Sequence, residues 1–220
     1  MGAISLRLRI MCAAVAGCVG IAGGGAVASE ERLTFTVHMS PYGTIGTYQS
    51  TLQKNDNDIT ITTEAHIKVS IAGVVLHRLE ISRVERQIAD RLVYFRGVTI
   101  ENGNPVEIEG KAVGGDFIIT SPSGTVTGPG TIRTLDPWSA GASGTDVVFM
   151  PDTGAVTRVR TTGGEPTSVT IGGAPLQVHR YQINSADGRE QYEVWMNDRR
   201  IPVMFNIADR DGTTTFTLVR

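Results

Sequence analysis

The stretch Glu190-Gln191-Tyr192-Glu193-Val194-Trp195-Met196 reads as a strand, and Asn197-Asp198-Arg199-Arg200 as a polar turn. Ile201-Pro202-Val203-Met204-Phe205-Asn206-Ile207 returns, with Ile201, Val203, Phe205 and Ile207 on one face. After the turn Asp209-Arg210-Asp211-Gly212, residues 213–219 alternate Phe216 and Leu218 against threonines. Apolar residues at a period of two, broken by hairpin turns, predict an antiparallel meander with one buried face.

The same pattern runs back through the chain. Residues 33–39 alternate cleanly, and Ser40-Pro41-Tyr42-Gly43 is a turn. Residues 44–54 form the next strand, where Gly46 permits a bend or close packing. Residues 59–70 follow, with Ile59, Ile61, Ile67 and Val69 on the apolar face and a bulge expected around Thr63-Glu64. Residues 74–88 are too long for a flat strand and predict a bent or bulged one. Residues 91–100 place Leu92, Tyr94, Val98 and Ile100 on one side. Further strands are read over 106–113, 117–120, 155–161, 166–171 and 176–184. Residues 121–144 are the least regular, and Asp136-Pro137-Trp138-Ser139 opens one helical turn capped by Asp136. The fold class is all-β: one highly curved antiparallel sheet or open barrel of roughly ten to twelve strands.

Arg7 and Arg9 precede an apolar run from Ile10 to Ile21, and a small-residue segment ends at Ala26-Val27-Ala28. That order of basic, apolar and small residues predicts an export signal over 1–28 and a single domain over 29–220, delivered to the periplasm. The run is short and broken by glycines, which argues against a membrane anchor. Val15-Ala16-Gly17-Cys18 offers an alternative: a lipid on Cys18 would make a membrane-anchored lipoprotein, peripheral to the bilayer. Cys12 and Cys18 are the only cysteines and both lie in the leader, so the expected domain has no disulfide or thiolate. The formal charge is −2 without a basic block, which argues against nucleic acid as a partner.

Several short pieces occur in a telling order. Leu33-Thr34-Phe35-Thr36-Val37 precedes Ile45-Gly46-Thr47; Asp136-Pro137-Trp138 precedes Asp152-Thr153-Gly154; Trp195-Met196-Asn197-Asp198 precedes Asp211-Gly212 and a final strand. In this order they resemble an uncharacterised family of exported bacterial β-proteins, the family of unknown function numbered 6134. Related families more often have a tyrosine beside the central tryptophan, where this chain has Pro137, and Trp-Tyr where it has Met196. The resemblance spans nearly all of 29–220. It implies a fold like the curved sheets of periplasmic lipoprotein carriers, and it implies no catalytic residues.

The chain shows no assembled catalytic motif. His38, His66, His77 and His179 are spread singly over predicted strands, without metal-ligand spacing. Glu64 and His66 share a face, whereas His77 and Glu80 fall on opposite faces. Ser139 lacks the strand-turn-helix setting of a nucleophile elbow, and the glycine pairs lack a following helix for phosphate. No catalytic residue, metal or cofactor is assigned. Arg78, Glu80, Arg83, Glu85 and Arg86 share one long strand. An inward Glu/Arg pair would position a polar ligand or move a proton. The ordinary arrangement of alternating charges is a solvated face with cross-strand partners.

Aromatic residues are spaced through the whole domain. The concave face of a curved sheet is filled, covered or left as a pocket. Residues 121–150 are long for a plain loop and predict a lid over that face, with Trp138 plugging the concavity or lining a ligand site. The candidate ligand-binding residues are Trp138, Trp195, Tyr94, Phe205 and Tyr48. The expected function is a periplasmic binding or carrier module for an apolar or lipid-like envelope molecule. The alternatives are a cofactor-free enzyme with an unrecognised site, and a structural or interaction domain with an envelope protein partner.

Overall fold

The computed structural model describes residues 29–138, 144–186, 188, 191–209 and 212–219. The expected leader with Cys18 lies outside these residues, as do Ser139, Glu190 and Asp211. The two ends of the described chain meet at the centre of one sheet. There β1 (Ser29–Met39) pairs antiparallel with β15 (Gly212–Leu218), placing Val37 opposite Phe216.

From this pair the sheet grows outward in two meanders. One arm runs through β2 (Gly43–Asn55), β3 (Asp58–Ile71), β4 (Val74–Ile88), β5 (Arg91–Glu101), β6 (Asn104–Val113), β7 (Asp116–Ser121) and β8 (Gly124–Pro129). The other runs back through β14 (Pro202–Asp209), β13 (Gln191–Met196), β12 (Ala174–Ser185), β11 (Val156–Ile171), β10 (Gly144–Phe149) and β9 (Arg133–Thr134). Every pairing is antiparallel except β9 with β10. Among the described residues the edges, β8 and β9, do not pair, so the sheet is curved but unclosed.

Among the described residues fifteen strands replace the ten to twelve expected. The irregular region contributes β8, β9 and β10, while two expected strands merge into β11. Most of β8 is exposed, so it carries no apolar alternation to read. In β11 the bulge between Gly163 and Glu165 kinks one continuous strand. The helical turn at Asp136-Pro137-Trp138 is present as a 3₁₀ turn beginning at Pro137.

Two side-chain faces also differ from expectation. The bulge foreseen at Thr63-Glu64 is absent, because the register of β3 against β2 is unbroken there. Thr63 is buried on the same face as Ile61 and Ile67, its hydroxyl 3.3 Å from that of Ser50. A satisfied inward hydroxyl looks like a change of phase in the sequence. On β5 the register shifts between Tyr94 and Leu92, so Phe95 and Thr99 turn inward while Tyr94, Val98 and Ile100 do not follow Leu92.

The arms are held together by side chains. Phe149 of β10 meets Phe95 edge-on at 5.0 Å and stacks on Phe117 at 5.9 Å. Gly110 makes room for this cluster, since a Cβ there would stand 2.5 Å from the Phe117 ring. The chain leaving β8 is latched by Arg91, whose Nε and Nη2 donate to the carbonyls of Gly130 and Gly114 at 3.1 and 2.8 Å. A separate aromatic group of Phe35, Tyr48, Phe205 and Phe216 anchors the central strands.

Candidate functional site

The side chains at odd positions of β4 decide the character of the interior. Leu79, Ile81, Arg83 and Glu85 follow one another at period two. Cross-strand pairing sets Ile81 between Ala65 and Thr99, Arg83 between Thr63 and Gly97, and Glu85 between Ile61 and Phe95. Gly97 leaves space for the Arg83 stem, since a Cβ there would lie 3.2 Å from its Cγ. The even positions behave as a solvated face: Arg78 pairs with Glu80 at 2.7 Å and Arg86 with Asp58 at 2.6 Å. The solvated-face reading thus holds for Arg78, Glu80 and Arg86, and is corrected for Arg83 and Glu85.

Glu85 is 5% exposed. Thr134 Oγ1 donates to its Oε2 at 2.8 Å, and its carboxyl hydrogen-bonds that of Asp136. Burial, and then the negative charge of Asp136, push the Glu85 carboxyl well above the usual carboxylate range. Glu85 therefore keeps a proton that an exposed carboxyl would release, and presents it to Asp136. Burial, with Asp136 second, also raises the Tyr48 phenol, against hydrogen bonds from Thr63 and Ser50.

Beside this polar cluster lies a cavity of about 910 Å³. Ile45, Ile67, Leu79, Ile81, Phe205 and Phe216 give it apolar walls. Arg83, Thr99 and Asp136 bring polar groups into the same lining. Arg83 Nη2 reaches Thr99 Oγ1 at 3.5 Å, and Arg83 Nε is buried with no hydrogen-bond partner among the described residues. The part of the expected lid that is described contributes Leu135, Asp136, Pro137 and Met150. Exposed Leu76 and Tyr42 mark the rim.

The five aromatic candidates separate. Tyr48 and Phe205 line the cavity together, with ring centroids 5.4 Å apart. Trp138 packs against the main core beside the lining residues Leu135 to Pro137, without joining the lining itself, and its Nε1 has no hydrogen-bond partner among the described residues. Trp195 lies between inward Val194 and Met196 on β13, so it faces outward, where the Arg180 guanidinium covers its ring at 5.8 Å. Tyr94 is turned away by the β5 register shift. The sequence raised Arg83 and Glu85 as candidates for an inward Glu/Arg pair but favoured a solvated face, and Thr99, Thr134 and Asp136 were not singled out as site residues. The available signal was parity, since Arg83 and Glu85 continue the apolar positions Leu79 and Ile81.

Among the described residues no three His, Cys, Asp or Glu side chains gather as a metal site, and no helix is long and apolar enough to cross a membrane. A β-barrel-like protein of the domain of unknown function DUF1849 from Brucella abortus has a similar fold, with a TM-score of 0.66. It is 14% identical, over 89% of this chain and 97% of that one, a likeness of fold alone. No curated protein matches this chain. The family model described as "Domain of unknown function (DUF6134)" matches residues 35–219, and the chain belongs to that family.

Proposed function

We propose that the protein is a periplasmic binding or carrier module for an apolar or lipid-like envelope molecule. The observation that carries this reading is the cavity of about 910 Å³ with mainly aliphatic and aromatic walls. Small-molecule sites typically enclose ~300–1,000 Å³. Apolar surface buried there contributes about 25 cal/mol per Å². The rim adds support. Ile71, Val74, Val75 and Leu76 at the β3–β4 hairpin are 52%, 61%, 47% and 53% exposed. Pairing with β2 stops at Ile67 and pairing with β5 stops at Leu79, so this tip projects as a two-stranded ribbon. Leu76 belongs to both the tip and the cavity lining, giving a continuous apolar path for a ligand.

The test uses the full chain, expressed in an export-competent bacterium, with native and denaturing mass spectra of one sample. The expected result is extra mass in the native spectrum alone, extractable as an apolar compound. Ile81→Trp, which puts a larger ring into the cavity, should reduce it. A clean protein mass with no uptake from envelope lipid extract would overturn the reading.

A second reading, a cofactor-free enzyme, is favoured by the Glu85–Asp136 pair. Two carboxyl groups sharing a proton beside a cavity are suited to general acid–base work. The extracted compound separates the two: a carrier returns it unchanged on incubation, and an enzyme converts it. Glu85→Gln should abolish conversion while leaving binding intact.

A further inference from the structure

We infer that the cavity takes a single-chain amphiphile whose head group is an oxyanion, and that Arg83 receives this head. The inference rests on the apolar-ligand reading above and names its ligand class. It follows from which hydrogen-bonding groups in the polar cluster are already used. A guanidinium has five N–H donors in a planar fork. Arg83 is a lining residue of the cavity, and among the described residues its hydrogen bond is from Nη2 to Thr99 Oγ1 at 3.5 Å, the outer limit of such contacts, while its Nε is buried without a partner. Among the described residues no carboxylate lies within ion-pair distance of it. The exposed arginines beside it on β4 behave otherwise, since Arg78 and Arg86 both have carboxylate partners.

The neighbouring acids do not fill this vacancy. Thr134 and Asp136 both bond to Glu85, so the acidic groups of the cluster are turned toward one another. Donors on Arg83 are therefore in surplus, and a ligand must supply acceptors. A carboxylate or a phosphate matches the guanidinium fork in charge and in its paired oxygens. Asp136 opposes an anion, but its charge is engaged by the Glu85 proton, whereas the head would contact Arg83 directly. The tail would then lie along Ile81, Leu79 and Ile67 toward Leu76 at the rim.

The test is competition against a fluorescent apolar probe, N-phenyl-1-naphthylamine, on the full-length protein. Hexadecanoate, hexadecyl phosphate, hexadecanol and hexadecylamine share one chain and differ in the head. The expected result is that an anionic chain binds about tenfold or more tighter than the alcohol, and that the amine is weakest. The tighter of the two anions identifies carboxylate or phosphate as the natural head. Arg83→Met should reduce the anions to the level of the alcohol and leave the alcohol unchanged, while Arg83→Lys should keep part of the preference. Equal binding of acid and alcohol, tighter binding of the amine, or equal loss of all chains in Arg83→Met would overturn the inference and leave an apolar site standing. Failure of the probe and of all four chains to bind would remove the underlying reading as well. The wild-type series decides the charge preference even if a variant fails to fold.

Discussion

Glu85 on β4 and Asp136 beyond β9 hydrogen-bond carboxyl to carboxyl inside the protein, joining the two arms of the sheet through a proton. Its first consequence is a dependence of stability on pH. The folded-state affinity of Glu85 for its proton exceeds that of the unfolded chain, whose glutamates titrate near pH ~4.3. Stability from this group is thus fully present below the unfolded value. It is lost as pH rises toward the raised folded value, because only the folded state holds the proton in that window. Glu85→Gln, which keeps a donor toward Asp136, should flatten this slope. Urea denaturation at steps between about pH 4 and pH 8 measures it. Parallel slopes for wild type and variant would contradict the assignment. Asp58, which Arg86 holds below the ordinary carboxylate value, acts oppositely and below this window: its contribution is lost as pH falls.

The contact of Phe149 with Phe95 and Phe117 closes what the backbone leaves open. Phe149→Ala should cost about 3–5 kcal/mol, the range for a buried phenylalanine truncated to a cavity. Hydrogen exchange should accelerate first in β8 and β9 and last in β1 and β15. A loss below about 1 kcal/mol would mean the arms are held by something else.

Gly46 and Gly43 on the same strand should respond differently to alanine. At Gly46 a Cβ would stand 2.0 Å from the His66 carbonyl oxygen, a backbone atom that cannot rotate away. At Gly43 the space is open and only the φ of 78° opposes a side chain. Gly43→Ala should cost about 1–2 kcal/mol from the left-handed backbone. Gly46→Ala should exceed it, at about 3 kcal/mol or more. Thermal unfolding of the two variants checks the order, and the reverse order would refute the close-approach argument.

Arg91 ties the chain after β8 to the turn between β6 and β7, donating to the carbonyls of Gly130 and Gly114. Arg91→Met should remove about 1–3 kcal/mol of stability, since hydrogen bonds from a charged donor are stronger than neutral ones. Arg91→Lys should recover little, because one ammonium does not reproduce the two-pronged guanidinium contact. Limited proteolysis around Gly130 should report the loosening, and unchanged cleavage would show that the latch is dispensable.

Most of the strands were legible because their information is local. Val194, Phe205 and Phe216 sit at alternating positions in their own strands, and hairpin turns announce each reversal. Edge strand β8 was not legible, because it buries almost nothing. Leu92 and Tyr94 were placed on one face because a bulge is an extra residue, invisible to strict alternation. Arg83 and Glu85 were legible in parity but not in chemistry. A charge at an inward position has the same sequence signature as an outward one until its partners are known.

The sequence by itself determined an all-β chain of consecutive hairpins and the buried face of most strands. Those properties follow from periodicity and turn chemistry within a few residues. Tertiary structure alone decided that β1 meets β15, that Phe149 joins the two arms, and that Asp136 comes to rest against Glu85. These contacts link residues far apart in the chain. They arise because a twisted sheet with one apolar face curls on itself to bury that face, and the curl selects which distant side chains meet.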